Sequence, residues 1–103
     1  MVYGSLSSDL AQVTEALARV LGVEFTLHNS MYRGGDYYRY ESEGGGVVRV
    51  ERNHDLIDDE PAASQWPEIS VLIYLDAFPQ DVCRLYADRL EQAAASIGVQ
   101  RLK

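Results

Sequence analysis

Cysteine and lysine are each present once in this chain, and both scarcities narrow what it can do. Cys83 has no partner for an internal disulfide, and nothing near Met1 reads as a basic segment followed by an apolar stretch and a cleavage site. The cytoplasm is therefore the expected compartment. The lysine is Lys103, and all Lys and Arg together number nine against 16 Asp and Glu, a formal charge of −7. That balance argues against a general binder of nucleic acid or anionic membrane, which needs a positive field to release counterions from phosphates. It suits a basic partner instead. Long apolar runs are missing too. The strongest, Ile69 to Phe78, is broken by Ser70 and Asp76 and falls far short of the roughly 20 residues that span a bilayer. No repeat or low-complexity tract is visible.

What remains is the composition of an ordinary globular protein, 47% hydrophobic and 24% charged over 103 residues. A single domain, residues 1–103, is expected, large enough to bury roughly 60 to 70% of its unfolded surface without staples.

Leu10, Val13, Leu17, Val20 and Leu21 recur at helical spacing, with Ser7, Ser8 and Asp9 as N-cap candidates, Gln12 placed for a capping box, and Gly22 where a helix would stop. Val23, Phe25 and Leu27 then alternate with Glu24, Thr26 and His28, the period of a half-buried strand. Asn29 to Asp36 read as a connection. Tyr37 to Ser42 and Val47 to Arg52 flank Gly44, Gly45 and Gly46, a turn that closes a hairpin; the outward faces would pair Arg39 and Glu41 with Arg49 and Glu51. Tyr38, Tyr40, Val48 and Val50 would face inward.

From Asn53 to Pro67 neither period survives, and the segment reads as a long acidic loop of the size that carries function or moves. Ile69, Val71, Ile73 and Leu75 then alternate through the most apolar strand. Pro79 favours a helix start, with apolar spacing from Val82 to Ile97 before Gly98. Met1 to Tyr3 are a candidate edge strand, and Val99 to Leu102 either a short closing strand or a frayed end. The order predicts an α+β two-layer sandwich: a mainly antiparallel sheet of four or more strands with two helices packed on one face. The opposite face would be open, carrying Glu24, Thr26, His28, Tyr37, Arg39, Glu41, Arg49, Glu51, Leu72 and Tyr74.

Few patterns offer catalysis. The triple glycine leads into Val47 and Val48 and not into a helix N-terminus, so it reads as a turn and not as a phosphate cradle. His54, Asp55, Asp58, Asp59 and Glu60 supply oxygen ligands, but Leu56 and Ile57 interrupt them and no glycine sits where a calcium loop needs one. Neither a metal nor a cofactor is expected. His28 and Cys83 lack a third orienting group, and acids are too abundant for any one pair to signal glycosidase chemistry. An enzyme is not expected. Trp66 either pins the loop or stands exposed as an anchor. The informative cluster is Tyr32, Tyr37, Tyr38 and Tyr40 with Arg33 and Arg39, because tyrosine and arginine dominate interface hot spots.

The run from Tyr32 through Arg33, Gly34, Gly35, Asp36, Tyr37 and Tyr38 to Arg39 is one element of a wider pattern. The others are Arg52-Asn53 with Asp58-Asp59-Glu60-Pro61, and Trp66-Pro67-Glu68 leading into Val71 to Leu75. Together, over about residues 23 to 76, they resemble the small acidic immunity-type proteins that bacteria encode beside polymorphic or contact-dependent toxins. The resemblance implies a non-enzymatic inhibitor that covers a basic cleft of a cognate toxin, and it carries no catalytic motif. The expected partner-binding residues are Tyr32, Arg33, Tyr37 and Arg39 as anchors, with Asp55, Asp58, Asp59 and Glu60 as the acidic side. The competing expectation is a small regulatory or ligand-binding domain that receives a peptide, a small molecule or a second copy on its open sheet face.

Overall fold

The computed structural model describes residues 1–30 and 35–103. Strands β1 (Val2–Ser5), β2 (Thr26–Ser30), β3 (Gly35–Glu41), β4 (Val47–Arg52), β5 (Val71–Asp76) and β6 (Val99–Arg101) form one sheet in the order β2-β3-β4-β5-β1-β6. Every neighbouring pair is antiparallel. Helices α1 (Leu10–Leu21) and α2 (Gln80–Ile97) lie on one face, giving the expected α+β sandwich.

Both helices begin and end where their side chains dictate. The Asp9 carboxylate accepts from the Gln12 amide at 3.1 Å, satisfying one of the free N–H groups at the start of α1. Gly22 and Gly98 close the two helices in the left-handed region at φ 69° and 68°. Arg89 of α2 donates to the Leu21 carbonyl at 3.1 Å, so one helix also caps the other. Between helices and sheet, Leu10, Val13, Leu17, Leu21 and Leu90 meet Tyr3, Val48, Val50, Val71, Ile73 and Leu75, all buried. Each such aliphatic side chain contributes roughly 1.5 to 3 kcal/mol by leaving water.

Four sequence expectations change. Met1 to Tyr3 do not make an edge: β1 lies between β5 and β6, because Val99–Arg101 folds back to pair outside it. The second strand starts at Thr26, and Val23 and Phe25 precede it as partly buried packing against the core. The connection after it is also shorter than expected, since pairing runs through Asn29 and Ser30 to Asp36 and Gly35. Ile69 does not share a face with Val71, Ile73 and Leu75. Its amide bonds the Trp66 carbonyl at 3.1 Å in a turn that puts the side chain on the opposite side of the sheet. There it joins Ala63 and Leu72, with Trp66, Tyr74, Val2 and Leu102 around them. The face away from the helices is therefore not fully open, for the 53–70 loop covers part of it and leaves Leu72 without exposure. Gly4 allows this closeness, because a Cβ there would stand 2.7 Å from Ile69.

Candidate functional site

Strand register brings the outer-face residues into rows. Thr26, Arg39, Arg49 and Tyr74 form one row, and His28, Tyr37, Glu51 and Leu72 the next. This corrects the expected hairpin pairing. Arg39 lies opposite Arg49, Glu41 opposite Val47 and Tyr37 opposite Glu51, so neither Arg39 nor Glu41 faces an opposite charge across β3 and β4. The turn sets that register: the Ser42 amide bonds the Gly46 carbonyl at 2.8 Å, and the Gly45 and Gly46 amides both return to Ser42. Its left-handed residue is Gly45, at φ 92°.

The ion pairs accordingly run along the strands or reach across to β5. Arg39 meets Glu41 at 3.1 Å, and Arg49 meets Asp76 at 3.5 Å and Glu51 at 3.9 Å. The Arg49 guanidinium also lies 4.9 Å from the centre of the Tyr74 ring. At the edge, His28 stacks on Tyr37 with centroids 5.4 Å apart, and the His28 ring nitrogen lies 2.9 Å from the Thr26 hydroxyl. Tyr37, Arg39, Val47, Arg49 and Asp76 enclose a shallow hollow of about 440 Å³. Among the described residues, the Arg49 Nε is shielded from solvent yet makes no hydrogen bond, since 3.9 Å to Glu51 is an electrostatic contact only.

Asn53 holds the neighbouring loop. Its amide nitrogen donates to the Trp66 and Ile69 carbonyls, each at 2.9 Å, and its side-chain oxygen accepts from the Ala63 amide at 2.7 Å. Trp66 is half-buried against the cluster of Ala63, Ile69 and Leu72, so it pins the loop. Beyond Asn53 the chain makes a tight turn. The Asp55 carboxylate accepts from the Ile57 and Asp58 amides at 2.9 and 3.3 Å, and the Asp55 amide donates to the Glu60 carbonyl at 2.7 Å. Asp59 takes φ 55° and places its carboxylate 2.9 Å from the His54 ring.

The structure thus gives the sequence-predicted acids different stations. Asp55 folds the turn. Asp58 and Asp59 are exposed at its tip, and Glu60 is exposed where the turn closes on Asp55. Beside them Leu56 and Ile57 are 49% and 62% exposed, and Leu56 leans on the start of β3, 3.7 Å from where a Cβ on Gly35 would be. The tip therefore stands next to the strand that carries Tyr37 and Arg39. Tyr32 and Arg33 lie outside the described residues. Sequence reasoning left Val47 and Asp76 out of the site and treated Leu56 and Ile57 only as gaps in a ligand pattern. Two adjacent aliphatics inside an acidic, aperiodic segment were the available signal.

Cys83 sits on α2 with its sulfur 3.5 Å from that of Met1, in the opposite layer from His28. Among the described residues, no three His, Cys, Asp or Glu side chains are grouped to hold a metal, and no helix is long and apolar enough to cross a membrane. A scan against protein-family models gives no match, and a search of curated proteins finds none similar to this chain.

Proposed function

We propose that this chain is an immunity protein, a non-enzymatic inhibitor that binds and neutralises a cognate bacterial toxin in the cytoplasm. The observation that supports it most is the loop tip. Asp58, Asp59 and Glu60 follow the exposed Leu56 and Ile57 in one turn, beside the strand bearing Tyr37 and Arg39. Acidic residues beside apolar anchors are the chemistry that meets a basic cleft: the charges steer encounter and the anchors slow escape. No bond need be made or broken by the inhibitor. The resemblance over residues 23 to 76 points the same way.

The test is coexpression with the product of the adjacent reading frame. Copurification of the two proteins, together with restored growth of cells that make the neighbour alone and die, is the expected result. Absence of both would sink the proposal. A second reading, a small ligand-binding domain, draws on the Tyr37 to Asp76 hollow of about 440 Å³. It would be favoured if a small molecule or peptide bound there while no neighbouring protein did.

A further inference from the structure

The sheet is wider than its helical cover. α1 packs chiefly over β4 and α2 beside β6, while β2 is the edge beyond β3. Leu27 pairs with Tyr38 and so shares its helix-facing side, yet it is 58% exposed. Beside this edge a hollow of about 380 Å³ opens between α1 and the sheet, walled by Ala18, Val23, Phe25 and Tyr38. The charged residues of its lining are Glu15, which meets Arg19 of its own helix at 3.5 Å, and Glu24.

Edge strands are usually guarded against further pairing by lysine, proline, inward charges, bulges or shortness. β6 is three residues long and carries Arg101, which pairs with Glu91 at 3.4 Å. β2 is five residues, Thr-Leu-His-Asn-Ser, with no lysine, arginine, acid or proline. Alternate residues of an edge strand direct N–H and C=O away from the sheet, and these are the groups another strand would pair with.

We propose that β2 is a docking edge for an extended, basic segment of the partner protein. The segment continues the sheet beside β2, an apolar side chain enters the hollow next to Leu27, and lysine or arginine meets Glu24. Charge selects this occupant over a second copy, which would bring another −7 and its own Glu24 to the same rim. The inference takes the basic character of the partner from the immunity reading, but the edge itself stands on the geometry.

Amide hydrogen exchange on the full chain tests it, with a blocked peptide of alternating lysine and leucine as the probe and its glutamate counterpart as control. The expected result is slowed exchange within Leu27 to Asn29 with the lysine peptide only. Leu27→Lys and Glu24→Lys should each weaken that binding by roughly tenfold at low salt, whereas Leu85→Lys, the same charge on an exposed helix position, should not. Both positions are exposed, and melting curves establish that each variant folds. Equal binding of the two peptides, unchanged exchange at β2, or a concentration-dependent dimer that protects β2 would overturn the proposal. A neutralised, copurifying toxin that leaves β2 amides unprotected overturns this inference and spares the immunity function. Protection of β2 by the lysine peptide with no toxin bound supports the edge and removes the function.

Discussion

Arg39 stands directly opposite Arg49 across β3 and β4, two like charges held as neighbours on the outer face. They are not equivalent. The Arg39 side chain is 37% exposed and answered by Glu41, whereas Arg49 is 23% exposed and lies among Glu51, Asp76 and the Tyr74 ring. The arrangement makes Arg49 part of the frame and leaves Arg39 in a single, more exposed ion pair.

Arg49→Gln should therefore cost about 1 to 2 kcal/mol of stability, because it removes the charge that Glu51, Asp76 and the Tyr74 ring share. Arg39→Gln should change stability by less than about 0.5 kcal/mol, as is usual for an exposed pair. Urea denaturation of both variants measures the contrast; equal losses would contradict it.

Asn53→Ala should release the loop that covers Leu72. Three hydrogen bonds disappear and the Ala63 amide is stranded, at an expected cost of about 2 to 3 kcal/mol. Faster amide exchange at Ala63, with β3 unaffected, would show that the loss is local.

The Phe78 ring lies against Gly46, where an added Cβ would overlap it. Gly46→Ala should cost about 1 to 3 kcal/mol through overpacking. Combined with Phe78→Ala, it should add less than the sum of the two single effects, which a double-mutant cycle in thermal melting would read.

Alkaline pH should destabilise the fold through two tyrosines. Burial raises the Tyr3 hydroxyl above its ordinary 10.0, helped by the nearby Glu91 carboxylate; burial also raises Tyr86, helped by Tyr40. Below pH 10 both stay neutral folded or unfolded and cost nothing. Above it the unfolded chain ionises first, so stability falls as pH climbs toward the folded-state values. Tyr3→Phe should flatten that fall, as followed by urea midpoints between pH 9 and 11, an interval chosen to bracket about 10.

If the chain is an immunity protein, reversing Asp58, Asp59 and Glu60 to lysine should slow association with the toxin by about tenfold or more at low salt and flatten its salt dependence. Tyr37→Ala should chiefly speed dissociation. Stopped-flow and dissociation rates separate the two, and unchanged kinetics in both variants would remove this surface from the interface.

Much of the fold was readable because its signals are local. Asp9 with Gly22 bounds α1, and the glycine run turns the hairpin, through interactions spanning a few residues. Register was not readable, since whether Arg39 meets Arg49 or an acid depends on how many residues the Ser42–Gly46 turn consumes. Nor was the loop's cover of Leu72, which rests on Asn53 reaching partners ten to 16 residues away. Leu27 shows the limit most clearly. Its alternation was correct, but alternation says which way a side chain points and not whether a helix waits there.

β1 is stitched to both β5 and β6, so strands from the two ends of the chain lie side by side. Pairings so distant in sequence close late, because loop entropy must be overcome before they yield any contact. On the ribosome, the hairpins from Thr26 to Arg52 can form early, but the sheet stays incomplete until Val99–Arg101 emerges. Until then Val2–Ser5 has an unprotected flank of its own. The outer flank of β1 is closed only once Val99–Arg101 has been made and has folded back beside it, so the sheet is completed by a strand that follows α2.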